Sequence, residues 1–114
     1  MLVTPAHLEG AGMPTTAREW FCAKYGRYAV VALPTLLRDV AELPDGYRWV
    51  GRLRKRGMVP QAAWDAFQGR RHDAEVAYAA AYGTGVTAAR CGYRRGMQEA
   101  VLCAAEALEV PHDA

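Results

Sequence analysis

Apolar residues recur at spacings of three and four along most of the chain, which is the pattern of helices with one buried face. The pattern predicts a first helix that begins at Thr15 or Thr16 and a second helix over residues 34–43. Between them, residues 28–33 form a short apolar run that fits either a strand or a buried helix. If this run is a strand, residues 47–50 are its expected partner in a small two-stranded ribbon.

Glycines and prolines divide the second half of the chain into several predicted segments. The pattern predicts a helix over residues 47–56 and another that opens at Pro60 and closes at Gly69. Asp73 then caps a further helix, and a last helix covers residues 87–110. The expected buried face of the helix after Asp73 consists of Val76, Tyr78, Ala79 and Tyr82.

These segments together predict an all-α domain of five or six short helices, with at most a minor two-stranded β ribbon. With 114 residues, the chain is long enough for one hydrophobic core and too short for two. We therefore expect a single helical domain over residues 15–110. Residues 1–14 contain prolines and glycines without periodicity and are predicted to be a flexible lead-in, and residues 111–114 to be a tail.

Composition argues against several classes of protein. No apolar run is long enough to span a bilayer and the first residues do not resemble a secretory signal, so we expect a cytoplasmic protein with no membrane partner. The three cysteines and three histidines are scattered without the spacing of a zinc site, so the sequence predicts neither a metal nor a cofactor. The chain contains no serine and no spaced set of Cys, His and carboxylate, so we expect no enzyme.

Charge is unevenly distributed, although the net charge of the chain is only +2. Between Arg48 and Arg95 there are ten basic and three acidic residues, which gives this stretch a charge of +7 and leaves −5 for the remainder. Such asymmetry indicates that the middle of the chain meets a polyanion or an acidic protein surface. The alternative is that the arginines only solvate helix faces.

The segment RLRKRGMVPQAAWDAFQGRR, residues 52–71, resembles the helix-turn-helix of repressor-type DNA-binding proteins. Gly57 and Gly69 have the spacing of that motif, and Gln61 falls at a matching position between them. The resemblance implies a recognition helix in the major groove, on which Gln61 and Asp65 face the bases. The cations that it places on the DNA backbone are Lys55, Arg56, Arg70 and Arg71. Two amphipathic helices joined at a glycine would give the same pattern without any role in DNA binding.

A second segment, GVTAARCGYRRG over residues 85–96, has a weaker resemblance to the helix-turn-helix units of phage terminase small subunits. That resemblance rests on Ala88, Gly92 and Tyr93 and implies a turn at Gly92. On one continuous helix, however, small residues recur every four positions and form a stripe along which another helix can pack closely. The residues of this stripe are Gly92, Gly96, Ala100 and Ala104. Both interpretations of Gly92 stay open from the sequence.

Two functions fit these observations. The first is a small, non-enzymatic regulator of phage or mobile-element type that binds double-stranded DNA through the helix-turn-helix-like segment, as a monomer or a homodimer. The second is a small phage-encoded, anti-CRISPR-like inhibitor that places the same basic face on an acidic or nucleic-acid-binding surface of a bacterial defence complex. Under both, Trp49 is the aromatic candidate for stacking. The full set of candidate binding residues is Arg48, Trp49, Arg52, Arg54, Lys55, Arg56, Gln61, Arg70, Arg71, Arg90, Arg94 and Arg95.

Overall fold

The structure, a computed structural model, describes residues 1–109 except for the side chain of Thr84. Over this range the chain forms six α-helices and one antiparallel pair of two-residue strands. The helices are α1 (Pro5–Gly10), α2 (Thr15–Tyr25), α3 (Leu33–Val40), α4 (Gly46–Lys55), α5 (Gln61–Ala81) and α6 (Val86–Glu109), and the strands are β1 (Leu2–Val3) and β2 (Val31–Ala32). The predicted fold class, mostly helical with a minor ribbon, is confirmed. The predicted tail, residues 111–114, lies outside the described residues.

The N-terminal residues are part of the ordered fold. A reciprocal capping box starts α1, in which the His7 backbone N–H donates to Thr4 Oγ1 at 3.4 Å and the Thr4 backbone N–H donates to His7 Nδ1 at 3.1 Å. Val3 and Leu8 are fully buried. The prediction that ordered structure begins at residue 15 is therefore wrong, because a two-residue strand and a six-residue helix are too short to show a period in the sequence.

The prediction that residues 47–50 pair with the strand of residues 28–33 in a ribbon is also wrong. Strand β2 pairs with β1, with Leu2 opposite Ala32, whereas residues 47–50 belong to α4. Trp49 and Val50 are buried there against the core. Trp49, Val50 and Leu53 are spaced as on one face of a helix and do not alternate as the buried residues of a strand would.

A long antiparallel hairpin of α5 and α6 dominates the second half of the chain, with the 3-10 turn Tyr82–Thr84 at its end. The predicted break between Gly69 and Asp73 is wrong, since α5 runs through both, and Gly92 lies inside α6 rather than at a turn. A Cβ at Gly69 or Gly92 would meet no atom within 4 Å, so each glycine stands at an open helical position. The propensity cost of about 1 kcal/mol per glycine is offset by packing along two long helices.

The small-residue stripe on α6 is buried at three of its four positions. Gly96, Ala100 and Ala104 are buried, whereas Gly92 is exposed. A Cβ on Gly96 would lie 2.5 Å from the Cβ of Ala74, so the absence of a side chain there permits the close approach of α5 and α6.

The core lies at the end of the hairpin away from the 3-10 turn, where α3 and α4 pack on α6. Among residues 75–83 and 85–95, Ala89 is the only buried residue, and Val76 and Tyr82 are each 55% exposed. The expected burial of Val76, Ala79 and Tyr82 is therefore wrong, and the end of the hairpin extends away from the core. None of the helices within residues 1–109 combines the length and apolar character needed to traverse a bilayer.

Candidate nucleic-acid interface

A basic groove lies between α4 and α5, with a cavity volume of about 410 Å³. On α4, the wall residues recur at spacings of three and four and so share one face of the helix. Gly51 carries no side chain at the centre of that face, which leaves room between the cationic side chains. The lining residues, hereafter the basic groove, are Tyr47, Arg48, Gly51, Arg52, Lys55, Phe67 and Arg71. Four of the seven are cations, and no acidic side chain lines the groove within the described part of the chain.

Most of the positive charge in the basic groove is not compensated. Arg48 donates to the Tyr47 hydroxyl at 3.4 Å, and Arg52 donates to the Gly12 carbonyl oxygen at 2.8 Å. Both acceptors are neutral, so they orient the guanidinium groups and leave their charges available to an anion. The hydrogen bond to Tyr47 also raises the pKa of Arg48 above its usual value, which keeps it protonated. Among the four cations, Arg71 alone forms an ion pair within residues 1–109, with Glu75 at 3.1 Å, and the charge of Asp45 acts on Arg48 without an ion pair.

The basic surface continues past Tyr47 onto α6. Arg94, Tyr47 and the acidic Glu42 line the same small cavity of about 60 Å³, and Arg90 lies one turn away from Arg94 on the same face. Among residues 1–109, neither arginine forms an ion pair. Tyr93 lies beside them, and burial, followed by the charge of Glu75, raises the pKa of its hydroxyl. Arg90 and Arg94 thus extend the field of the basic groove.

Arg70 and Arg95 lie on the opposite edge of the hairpin. They line a separate groove of about 140 Å³ together with Asp73 and Glu99. Arg70 pairs with Glu99 and lies 3.9 Å from Asp73, so its charge is neutralised within the protein. The ten basic residues therefore do not form one surface, because adjacent positions such as 70 and 71 point about 100° apart around a helix.

Arg54 makes its hydrogen bonds to the connection between α4 and α5 and to the first residue of α5. Its guanidinium donates to the Val59 carbonyl oxygen and to Gln61 Oε1, both at 2.6 Å, and lies 5.9 Å from the Trp64 ring. The Gln61 amide donates in turn to Asp65 Oδ1 at 2.7 Å. The two side chains expected to read bases are thus hydrogen-bonded to one another, and Gln61 also accepts from Arg54.

Gly57 provides the turn that joins these helices, with φ at +84°, where a glycine is favoured. Arg56, just before it, is the C-cap of α4, and its guanidinium lies against Gly10. The turn expected from the resemblance is therefore present, whereas the second helix is far longer than the resemblance implies, at 21 residues.

Trp49 is only 2% exposed, so its ring is not free to stack on a base in the basic groove. It forms part of the wall of a second cavity, of about 280 Å³, between α2 and α4. Trp20, which is half-buried, lines the same cavity and meets Trp49 edge-on with the ring centroids 5.4 Å apart.

Sequence reasoning missed two aromatic residues of these cavities, Tyr47 and Trp20. The signal for Tyr47 was its spacing of four from Gly51 and eight from Lys55, which puts all three on one helix face. Trp20 gave no signal, because a tryptophan at helical spacing is most often a core residue.

Chemically, the arrangement offers guanidinium and ammonium donors on a concave surface, with aromatic rings at its border. Such groups hold phosphates by charge-assisted hydrogen bonds. Searches against protein-family models, curated proteins and solved structures find no match for this chain.

Proposed function

We propose that this protein binds DNA non-enzymatically and holds the phosphate backbone in the basic groove. One observation carries the proposal: four cations converge on a concave surface without a carboxylate in its lining, and three of them form no ion pair within residues 1–109. An anionic ligand would supply the missing counter-charge. Because each phosphate contact releases condensed counterions, a row of such cations gives substantial affinity for DNA without any base reading.

The arrangement of the cations favours a repeating polyanion over a single small anion. Arg48, Arg52 and Lys55 follow one another along α4 at intervals of three and four residues, which is about 5 to 6 Å along the helix axis. Arg94 and Arg90 continue the positive surface on α6. A ligand that meets all of them must be extended and must carry charge along its length, as a DNA strand does.

Backbone contact is better supported than base reading by α5. The outward positions of α5 that the helix-turn-helix resemblance assigns to bases hold Gln61 and Asp65, which already hydrogen-bond to each other. The uncompensated cations lie instead in the basic groove. We therefore expect binding with little dependence on duplex sequence, since phosphates carry no direct sequence information.

Fluorescence anisotropy with labelled single-stranded and duplex DNA tests this function. If four phosphates are neutralised, log K should fall with log salt at a slope of about −3.6 for duplex DNA or about −2.8 for a single strand. A matched titration with an uncharged labelled oligomer of the same length serves as control. If the anisotropy of neither DNA rises on addition of protein at low salt, the proposal is refuted.

A protein partner is the second candidate function, and the exposed end of the hairpin favours it. Val76, Tyr82 and Val86 are large apolar side chains with 40–55% of their surface exposed. All three lie toward the turn of the hairpin, and exposed apolar side chains that share one surface are typical of protein contacts. Under this alternative, substitution of Val76 and Val86 by Thr should abolish partner binding and leave DNA affinity unchanged.

A further inference from the structure

The cavity between α2 and α4 has the features of a small-ligand site. Its volume of about 280 Å³ is just below the roughly 300–1,000 Å³ of pockets for drug-sized molecules, which suits a ligand with one ring system. Its apolar wall comes from Met13, Ala17, Trp20, Leu43 and Trp49, and its polar groups come from Thr16, Asp45, Arg48 and Arg52. Apolar and polar residues therefore share the wall, so that one part can pack against a ring and the other can fix its orientation by hydrogen bonds.

The aromatic part of the cavity is held in place by its neighbours. Trp20 meets Trp49 edge-on and meets Tyr25 at 90°, with the ring centroids 5.9 Å apart. Trp49 is buried and immobilises one side of this cluster. A planar ring that enters the cavity therefore meets an aromatic wall whose orientation is already fixed, so little ordering entropy is lost on binding.

The cavity and the basic groove are neighbours that share two lining residues. Arg48 and Arg52 line both, so a phosphate bound by either guanidinium lies at the border between them. A strand whose backbone follows the basic groove can therefore place one base in the cavity without leaving these two arginines.

Asp45 gives the cavity a preference among bases. It precedes α4 and makes no side-chain capping hydrogen bond, and its charge acts on Arg48 without forming an ion pair within residues 1–109, so its carboxylate can accept from a ligand. A carboxylate pairs best with two adjacent N–H donors. Guanine offers such a pair, N1–H and N2–H, on its Watson–Crick edge, whereas thymine offers only N3–H.

We propose that this cavity receives one guanine base of the bound DNA strand, with the ring against Trp20, the Watson–Crick edge on Asp45 and the adjoining phosphate on Arg48 or Arg52. This inference rests on the proposed function, because the strand is the one held in the basic groove. It also implies that the bound DNA is single-stranded at that base, since a paired guanine cannot present its Watson–Crick edge.

Anisotropy with three labelled strands tests the inference: a short oligothymidine, the same strand with one central guanine, and the same strand with one central abasic site. The wild-type protein should bind the guanine strand about ten-fold more tightly than the abasic strand, as expected for one stacked and hydrogen-bonded base. Asp45→Asn should reduce the preference for guanine over thymine to about two-fold or less. Trp20→Leu should remove most of the difference between the guanine and abasic strands.

Charge-matched and size-matched controls separate the cavity from general effects. Asp65→Asn makes the same change in net charge outside the cavity and should leave the preference for guanine over thymine intact. Trp64→Leu removes another half-buried tryptophan outside the cavity and should keep the difference between the guanine and abasic strands. Asp45 is exposed, so its variant is expected to fold even if Trp20→Leu does not.

The outcomes distinguish this inference from the proposed function. Equal affinity for all three strands, unchanged by Asp45→Asn, would overturn the guanine site while DNA binding stands. No binding of any strand at low salt would overturn both. A guanine preference that is lost in Asp45→Asn and kept in Asp65→Asn supports the site.

Discussion

Gly92 and Gly96 occupy successive turns of α6 but have different surroundings. A Cβ at position 96 would lie 2.5 Å from the Ala74 Cβ, whereas one at position 92 would meet nothing within 4 Å. We expect Gly96→Ala to lower the free energy of unfolding by about 1 to 3 kcal/mol through overpacking. Gly92→Ala should raise it by about 0.5 to 1 kcal/mol through helix propensity.

Urea denaturation of the two variants against wild type measures both effects. The two substitutions are chemically identical and serve as controls for each other. Destabilisation by Gly92→Ala would contradict its place inside a helix and would favour a turn at that residue.

Tyr25 makes stability depend on alkaline pH. Burial, followed by the hydrogen bond that its hydroxyl donates to Asp39, raises the Tyr25 pKa well above the usual value near 10. Above a pH of about 10, the Tyr25 hydroxyl of the unfolded chain loses its proton while that of the folded chain retains it. The free energy of unfolding therefore falls as the pH rises from about 10.

Tyr25→Phe should remove this part of the pH dependence, measured by chemical denaturation at successive alkaline pH values. Tyr28→Phe is the matched control, because Tyr28 is 90% exposed and its side chain forms no hydrogen bond with residues 1–109. If the alkaline slope were the same in wild type and Tyr25→Phe, the buried hydrogen bond would not be the cause.

At the scale of elements, the N-terminal strand and helix carry a prediction of their own. Leu8 in α1 is fully buried, whereas Leu2 in β1 is 57% exposed. Leu8→Ala should lower the free energy of unfolding by about 2 to 5 kcal/mol, because it leaves a cavity in the core. Leu2→Ala makes the same chemical change on the surface and should cost less than about 0.5 kcal/mol. Thermal denaturation measures both effects. If Leu8→Ala destabilised the protein as little as Leu2→Ala does, this segment would not be part of the core.

Strong periodic patterns allowed much of the fold to be predicted. The helices α2, α3 and α4 lie within a few residues of their predicted places, since each combines an apolar face with a clear start or stop. Short elements such as α1 could not be predicted, because capping by Thr4 and tertiary burial, rather than a period, define them. The long α5 was divided in the prediction, and Gly92 in α6 was left open, because an open glycine and a helix-ending glycine look alike in a sequence.

The candidate site was predictable only in part. Clustering of cations between residues 48 and 95 indicated a basic region, but only the structure separates Arg71, which lines the basic groove, from Arg70, which pairs with Glu99 on the other edge. Similarly, the bonds that Arg54 makes to the loop and to Gln61 depend on how the chain turns at Gly57.

For the whole molecule, the proposed DNA-binding surface lies on one side of the hairpin. Lys55 in the basic groove and Arg95 on the opposite edge are both exposed, and neither forms an ion pair within the described chain. They therefore provide a charge-matched pair for locating the surface. The same reversal of charge can be placed on either side without disturbing an internal contact.

The most direct measurement is the DNA affinity of Lys55→Glu and Arg95→Glu against wild type, by anisotropy over a range of salt concentrations. The account predicts that Lys55→Glu weakens binding about ten-fold or more and makes the salt slope shallower by about 1, because one phosphate contact is lost. Arg95→Glu should weaken binding by no more than about three-fold, through the general field alone. Equal losses in the two variants, or no loss in Lys55→Glu, would contradict the assignment of DNA to the basic groove.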